Sequence, residues 1–190
     1  MESIYYTILC LKYIFLYPLY FRIKSCNALN DEYEMYLRND NIEYAGFKAF
    51  SCLCECYPEY RSIIFNRLPS IYTKVMSKIY KPLSTFYLQV DSSRLGQNLM
   101  IWHGFSTIIN AQSIGDNCSI WQQVTIGNKL DNGEAKPQIG NNVKICAGAI
   151  IIGNIKVGDN VIIGAGAVVV KDVPNDTIVV GAQNRYLYKK

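Results

Sequence analysis

In the second half of the chain, aliphatic side chains recur every six residues. Ile139, Ile145, Ile151, Val157, Ile163 and Val169 form one unbroken series. An earlier series runs Ile108, Ile114, Ile120 and Ile126, preceded by Leu95 and Ile101, with one extra residue between Ile101 and Ile108. Four residues after most of these anchors comes a small or β-branched residue: Cys118, Val124, Val143, Ala149, Val161 and Ala167. A helix repeats every 3.6 residues and a strand every two, so a period of six fits neither. It fits a solenoid of short strands whose turns fall at Gly-Asp-Asn and Gly-Asn-Asn clusters (115–117, 140–142, 158–160), residues that tolerate positive φ. Three hexads close one triangular coil, and coils stack at about 4.8 Å. Ile126 and Ile139 lie 13 apart with no inward rhythm between them, so residues 128–138, Lys136 among them, are expected to leave the coil as a projecting loop.

Residues 1–87 lack this repeat and read as an α-helical region, followed by a solenoid over 88–182 and a short tail over 183–190. Helices are expected over 3–23, 32–38 and 42–57, with two more beginning at the first-turn prolines Pro58 and Pro69. Over 69–80, Ile71, Val75 and Ile79 fall four apart with Met76 beside them, the spacing of one apolar face. The run Ile4 to Phe21 is apolar except for Lys12 and several tyrosines. Glu2 ahead of it and the lack of a small-residue cleavage site argue against a signal peptide, and Lys12 in mid-run argues against a span. Two readings remain: a helix buried in an oligomer, or one lying on a membrane surface with its tyrosines at headgroup level and Arg22 and Lys24 beside them.

Composition narrows the function classes. Half of the 190 residues are hydrophobic and 18% are charged, which excludes a disordered chain. The net charge of +4 comes from scattered basic residues, suited to an anionic small ligand and not to nucleic acid. The seven cysteines show no paired metal-ligand spacing, and Cys52, Cys54 and Cys56 have no His nearby. No metal site is expected, and the thiols read as reduced groups of a cytoplasmic protein.

His103 is the only histidine, two residues after the anchor Ile101, in Ile101-Trp102-His103-Gly104-Phe105. An imidazole suits the removal of a proton from an alcohol, and no Gly-x-Ser-x-Gly elbow offers a serine nucleophile. Cys118 occupies a coil-interior position, and Cys146 has no visible activating partner.

The segments Ile101–Gly104, Gln123–Asn128, Ile139–Val143, Ala147–Ala149, Ile151–Val161 and Ile163–Val169 resemble the hexapeptide-repeat acyltransferases, in particular their serine acetyltransferase-like branch. The likeness covers about residues 90–185 and is fainter before them, where Tyr57-Pro58-Glu59-Tyr60-Arg61 is a weak echo. It implies a left-handed parallel β-helix assembled as a homotrimer, with acetyl-CoA in the cleft between two copies. By the same resemblance His103 takes the position of the catalytic base, Ala147 and Ala165 line the pantetheine arm, and Arg185 and Lys171 approach the cofactor phosphates.

The chain departs from the serine enzymes at several positions. Trp102 stands where they carry an Asp, and Ala135 and Lys136 stand where they carry an Arg-His pair. Leu88 falls where they place the acid that orients the histidine, and Asp91 lies nearby but out of register. Charged ends of an amino acid need charged partners, so the expectation is an acetyl-CoA-dependent O-acetyltransferase acting on a hydroxyl of a sugar or polysaccharide precursor, with Trp102 and Lys136 facing the acceptor. Serine O-acetylation, N-acylation of an amino sugar and a non-catalytic trimeric scaffold are the alternatives.

Overall fold

The computed structural model describes residues 2–40, 42, 44–129 and 135–181. Thirteen short parallel strands follow six α-helices among these residues. The strands are β1 (Phe86–Leu88), β2 (Met100–Ile101), β3 (Thr107–Ile109), β4 (Ser113–Ile114), β5 (Ser119–Ile120), β6 (Thr125–Gly127), β7 (Gln138–Ile139), β8 (Lys144–Ile145), β9 (Ile150–Ile152), β10 (Lys156–Val157), β11 (Ile162–Ile163), β12 (Val168–Val169) and β13 (Ile178–Val179). They form the three walls of a β-helix: β1-β3-β6-β9-β12, β4-β7-β10 and β2-β5-β8-β11-β13. We call these the first, second and third walls. Ile101, Ile120, Ile145 and Ile163 stack inside the third wall, and Ile109, Ile126, Ile151 and Val169 inside the first, all buried.

One anchor differs from the expected series. Ile109, not Ile108, points inward and pairs with Ile126, while Ile108 lies 44% exposed on the outer face. The corner between β2 and β3 is therefore longer by two residues than the corner beneath it, and the following corner is shorter. The adjacent isoleucines at 108 and 109 let either satisfy the pattern.

At another corner, polar side chains run as a ladder. Asp116 Oδ1 accepts from Gln97 N–H (2.7 Å), Asn141 Oδ1 from Asp116 N–H (2.9 Å), Asp159 Oδ1 from Asn141 N–H (2.6 Å) and Asn175 Oδ1 from Asp159 N–H (3.0 Å). Gly140 is required here by close approach, since a Cβ on it would lie 2.5 Å from Asp159 Oδ1 and 2.7 Å from the Gly158 carbonyl carbon.

The helices are α1 (Glu2–Lys12), α2 (Tyr17–Lys24), α3 (Asn27–Asn39), α4 (Gly46–Cys56), α5 (Pro58–Arg67) and α6 (Ile71–Ile79). The helix expected over 3–23 is broken by a 3₁₀ turn at Ile14–Leu16, and the halves Ile4–Lys12 and Ile14–Lys24 bend by 57°. Pro18 sits in the first turn of α2, where its missing N–H costs nothing. No single described helix is long and apolar enough to cross a membrane. Leu9, Tyr13, Leu16, Leu19 and Ile23 are buried, yet Ile4, Ile8, Leu11, Phe15 and Phe21 are exposed. On α6 the expectation reverses: Ile71, Val75 and Ile79 face outward, and Thr73 and Met76 make the inward contact. A capping box between Ser70 and Thr73 fixes where α6 starts.

Helices α3 and α5 close the N-terminal end of the solenoid, which would otherwise present unpaired strand edges. Tyr36 of α3 accepts from Ile101 N–H (3.0 Å), and Asn66 of α5 donates to Val90 O (2.9 Å). Arg67 reaches Leu95 O (2.7 Å) and Gly96 O (2.5 Å), and pairs with the buried Glu32 of α3 at 2.8 Å.

Candidate active site

The two residues by which the β2–β3 corner exceeds its neighbour belong to Trp102-His103-Gly104. They lift His103 out of the coil, exposed and at φ 52°, in the left-handed region that a histidine adopts only at a cost. Gly104 is buried behind it. A Cβ there would meet Ile101 Cγ2 at 3.0 Å, Phe86 Cδ2 at 3.1 Å and Glu59 Cβ at 3.3 Å, so only glycine lets the bulge lie flat on the helical region. Phe105 N–H closes the turn onto His103 O at 2.7 Å.

The pairing of the third wall places one residue of every coil beneath this corner. Ile120, Ile145 and Ile163 are in register, so the residues two further on, Gln122, Ala147 and Ala165, share one edge of the prism. Gln123 N–H donates to Phe105 O (3.2 Å), which puts Phe105 next in that column and His103 in the insertion just before it. Gly148 N–H donates to Gln122 O and Gly166 N–H to Ala147 O, each at 3.0 Å, which confirms the stacking of these turns. Gly181 lies next in line, where a Cβ would sit 3.1 Å from Ala165 O. Ala147 and Ala165 thus lie roughly 10 and 14 Å below the imidazole's corner at about 4.8 Å per coil. Below Gln122 the column is a shallow track of small residues, Ala147, Ala165 and Gly181, and the His103 bulge stands beside its head. The side-chain oxygen of Gln122 is buried without a partner among the described residues, which leaves an acceptor for a ligand N–H.

Beside the column, the indoles of Trp102 and Trp121 stack on successive coils, with centroids 6.2 Å apart and an interplanar angle of 21°. Lys171 and Lys136 are not on this edge. Both lie where the chain leaves the first wall for the second, so the width of that wall separates them from His103 within one chain. Lys171 is exposed and Lys136 half-buried. Arg185 and the rest of the 183–190 tail lie outside the described residues, as do residues 130–134 of the projecting loop.

Asp91 does not serve the imidazole. It is exposed and caps a 3₁₀ turn, with Oδ1 accepting from Ser93 N–H at 2.8 Å and Ser93 Oγ at 2.5 Å. The acid next to the bulge is Glu59, in the first turn of α5 and only 4% exposed. The backbone N–H groups of Gly104 and of Glu59 itself lie near enough to its carboxylate to favour the charged form. Burial pushes its pKa up, against the pull of those N–H groups, His103 and Arg61. Local sequence offered no route to Glu59, because an acid in a first turn normally answers the helix dipole.

The family model for bacterial transferase hexapeptide (six repeats) matches residues 136–171, the lower coils of this solenoid. A serine acetyltransferase from Synechococcus elongatus is 38% identical over 143 residues, covering 70% of this chain and 59% of that protein. One from Staphylococcus epidermidis is 32% identical over 158 residues, covering 80% of this chain and 74% of that protein. The chain therefore spans about three fifths of the cyanobacterial relative's length. Among solved structures, soybean serine acetyltransferase complexed with serine superimposes at a TM-score of 0.63 with 26% identity, covering 90% of this chain and 74% of that one. With its helical region and its coils both inside these alignments, the chain belongs to the hexapeptide-repeat acyltransferases, in their serine acetyltransferase-like branch.

Proposed function

We propose that this protein transfers the acetyl group of acetyl-CoA to a hydroxyl, with L-serine as the acceptor. The observation that carries the acetyl transfer is the single imidazole raised beside the head of a column of small residues. His103 accepts the proton of the attacking hydroxyl, and its imidazolium then returns a proton to the departing thiolate. Backbone N–H groups around the bulge are suited to charge building on the thioester oxygen. Ala147, Ala165 and Gly181 leave room for the pantetheine arm, and the unpartnered Gln122 oxygen suits one of its amide N–H groups.

The acceptor follows from the relatives, which are named serine acetyltransferases and lend no support to a sugar or polysaccharide precursor. A sugar remains a second reading because of one observation: the stacked Trp102–Trp121 pair beside His103 is a flat face of the kind sugar rings cover.

A homotrimer fits the surface of the first wall. Tyr87, Ile108, Thr125, Ile150 and Val168 form one outward ladder through successive pairings, and all but Thr125 are exposed large apolar residues. The second wall instead shows Ser113, Gln138 and Lys156. Packing copies through the first wall sets the His103 edge of one against the Lys136 and Lys171 edge of the next, which makes those lysines candidates for the acceptor and the cofactor phosphates of a neighbouring site. The exposed apolar residues of α1 and α2 suit peripheral membrane contact or a further contact between copies.

The test is thiol release from acetyl-CoA against a panel of acceptors. L-serine is expected to be the fastest and free cysteine to compete with it. A faster sugar would replace the acceptor, and absence of both thiol release and acetyl-CoA binding would leave a scaffold.

A further inference from the structure

We propose that Glu59 is the positioning residue of His103, supplying from the helical region a fixed negative charge that favours the imidazolium formed during transfer. The proposal rests on His103 being the base of the reaction just described. Its grounds are geometric. Glu59 is a carboxylate 4% exposed, in the first turn of α5, with its Cβ in contact range of the Gly104 position. Among the described residues no basic nitrogen lies close enough to form an ion pair with it, so it is not a structural salt-bridge member. Burying such a group without a paired cation is costly, and carboxylates kept at that cost cluster at functional sites.

The ionisable groups facing Glu59 are His103, Arg61, Tyr36 and Tyr57. Arg61 is engaged elsewhere, donating to Tyr13 Oη (3.2 Å), Lys81 O (3.0 Å) and Cys54 O. Burial pushes both tyrosine hydroxyls up, so they stay neutral. His103 is left as the cation that Glu59 can answer when the ring takes a proton. The Gly104 position, 3.3 Å from Glu59 Cβ for a Cβ built there, belongs to the residue that follows the imidazole, so Glu59 packs directly against the bulge that carries it.

Two substitutions separate this contact from the charge. Glu59→Gln keeps an oxygen that can accept from Gly104 N–H but removes the charge; Glu59→Ala removes both. Glu59→Gln is expected to lower kcat by about 10-fold or more, with KM for acetyl-CoA within twofold and thermal stability unchanged or raised. Glu59→Asp should recover part of the loss. A Gln variant within twofold of the unaltered kcat, whether or not Ala is inactive, would overturn the proposal and leave Glu59 a structural contact. A second readout does not depend on activity. The chain has one histidine, so its ring proton resonances at a fixed pH report on the imidazole without any turnover. They should shift in Glu59→Gln. Unshifted resonances refute the contact even if no acceptor is ever found, and shifted ones in an inactive protein would fault the proposed reaction alone.

Discussion

Replacing Arg67 with Met tests how the helical region is fastened to the solenoid. The guanidinium is 8% exposed, pairs with the 4% exposed Glu32 at 2.8 Å, and donates to Leu95 O and Gly96 O. Met matches the length of the stem but leaves Glu32 buried alone and two carbonyls without their donor. Removing one partner of a buried pair costs about 3–5 kcal/mol. Part of this is relieved because burial already pushes the Glu32 carboxyl up to about 7 despite Arg67, so the orphaned acid takes a proton. A net loss of about 3 kcal/mol corresponds to a melting temperature lower by roughly 6–12 °C for a chain of this size. Thermal unfolding at fixed protein concentration measures it, and adding Glu32→Gln to Arg67→Met should restore about 1 kcal/mol or more. A drop under about 2 °C would show that the pair does not hold the two regions together. The pH dependence follows from the same carboxyl. Its folded pKa lies above its ordinary value of 4.5, so the folded state binds the extra proton between the two. That contribution is full below pH 4.5 and is lost as pH rises through about 7. Glu32→Gln should flatten this fall.

His103→Ala or His103→Asn is expected to lower turnover by roughly 10² to 10⁴ with the melting temperature unchanged; thiol release within threefold of normal would remove the imidazole from the chemistry. Ala165→Leu, on the exposed lower part of the column, should raise KM for acetyl-CoA by about tenfold and leave kcat nearly unchanged, and an unaltered KM would place the cofactor elsewhere. Val168→Glu, on the apolar ladder of the first wall, should convert the assembly to single chains in light scattering, and an unchanged mass would exclude that wall as the interface.

The solenoid was legible because a six-residue period has one structural reading, and because Gly, Asn and Asp recur where turns need left-handed backbone. The register of the first coil was not, since Ile108 and Ile109 are interchangeable in pattern and only the pairing with Ile126 separates them. The first helix looked continuous because the run Ile4 to Phe21 is apolar nearly throughout; the break at Ile14–Leu16 falls just before Pro18, whose ring and missing N–H do not allow one helix to pass through. His103 stood out in the sequence because it is a lone imidazole in a recognisable segment. Glu59 did not, because it is brought beside the bulge by the docking of α5, over a separation that no local spacing reveals. Asp91 had the right chemistry and the nearer address, but its carboxylate is committed to Ser93.

The column below His103 also acts as a ruler. Each coil contributes one residue and one step of about 4.8 Å, so the track changes length only in whole steps while its width stays set by the neighbouring walls. Removing a full coil, such as residues 146–163, keeps every remaining pairing in phase and shortens the track by one step. Removing one residue instead turns a wall inside out. Track length is therefore a counted property in this fold, set by the number of turns stacked beneath the imidazole's corner, whereas the bulge and loops stand outside the count.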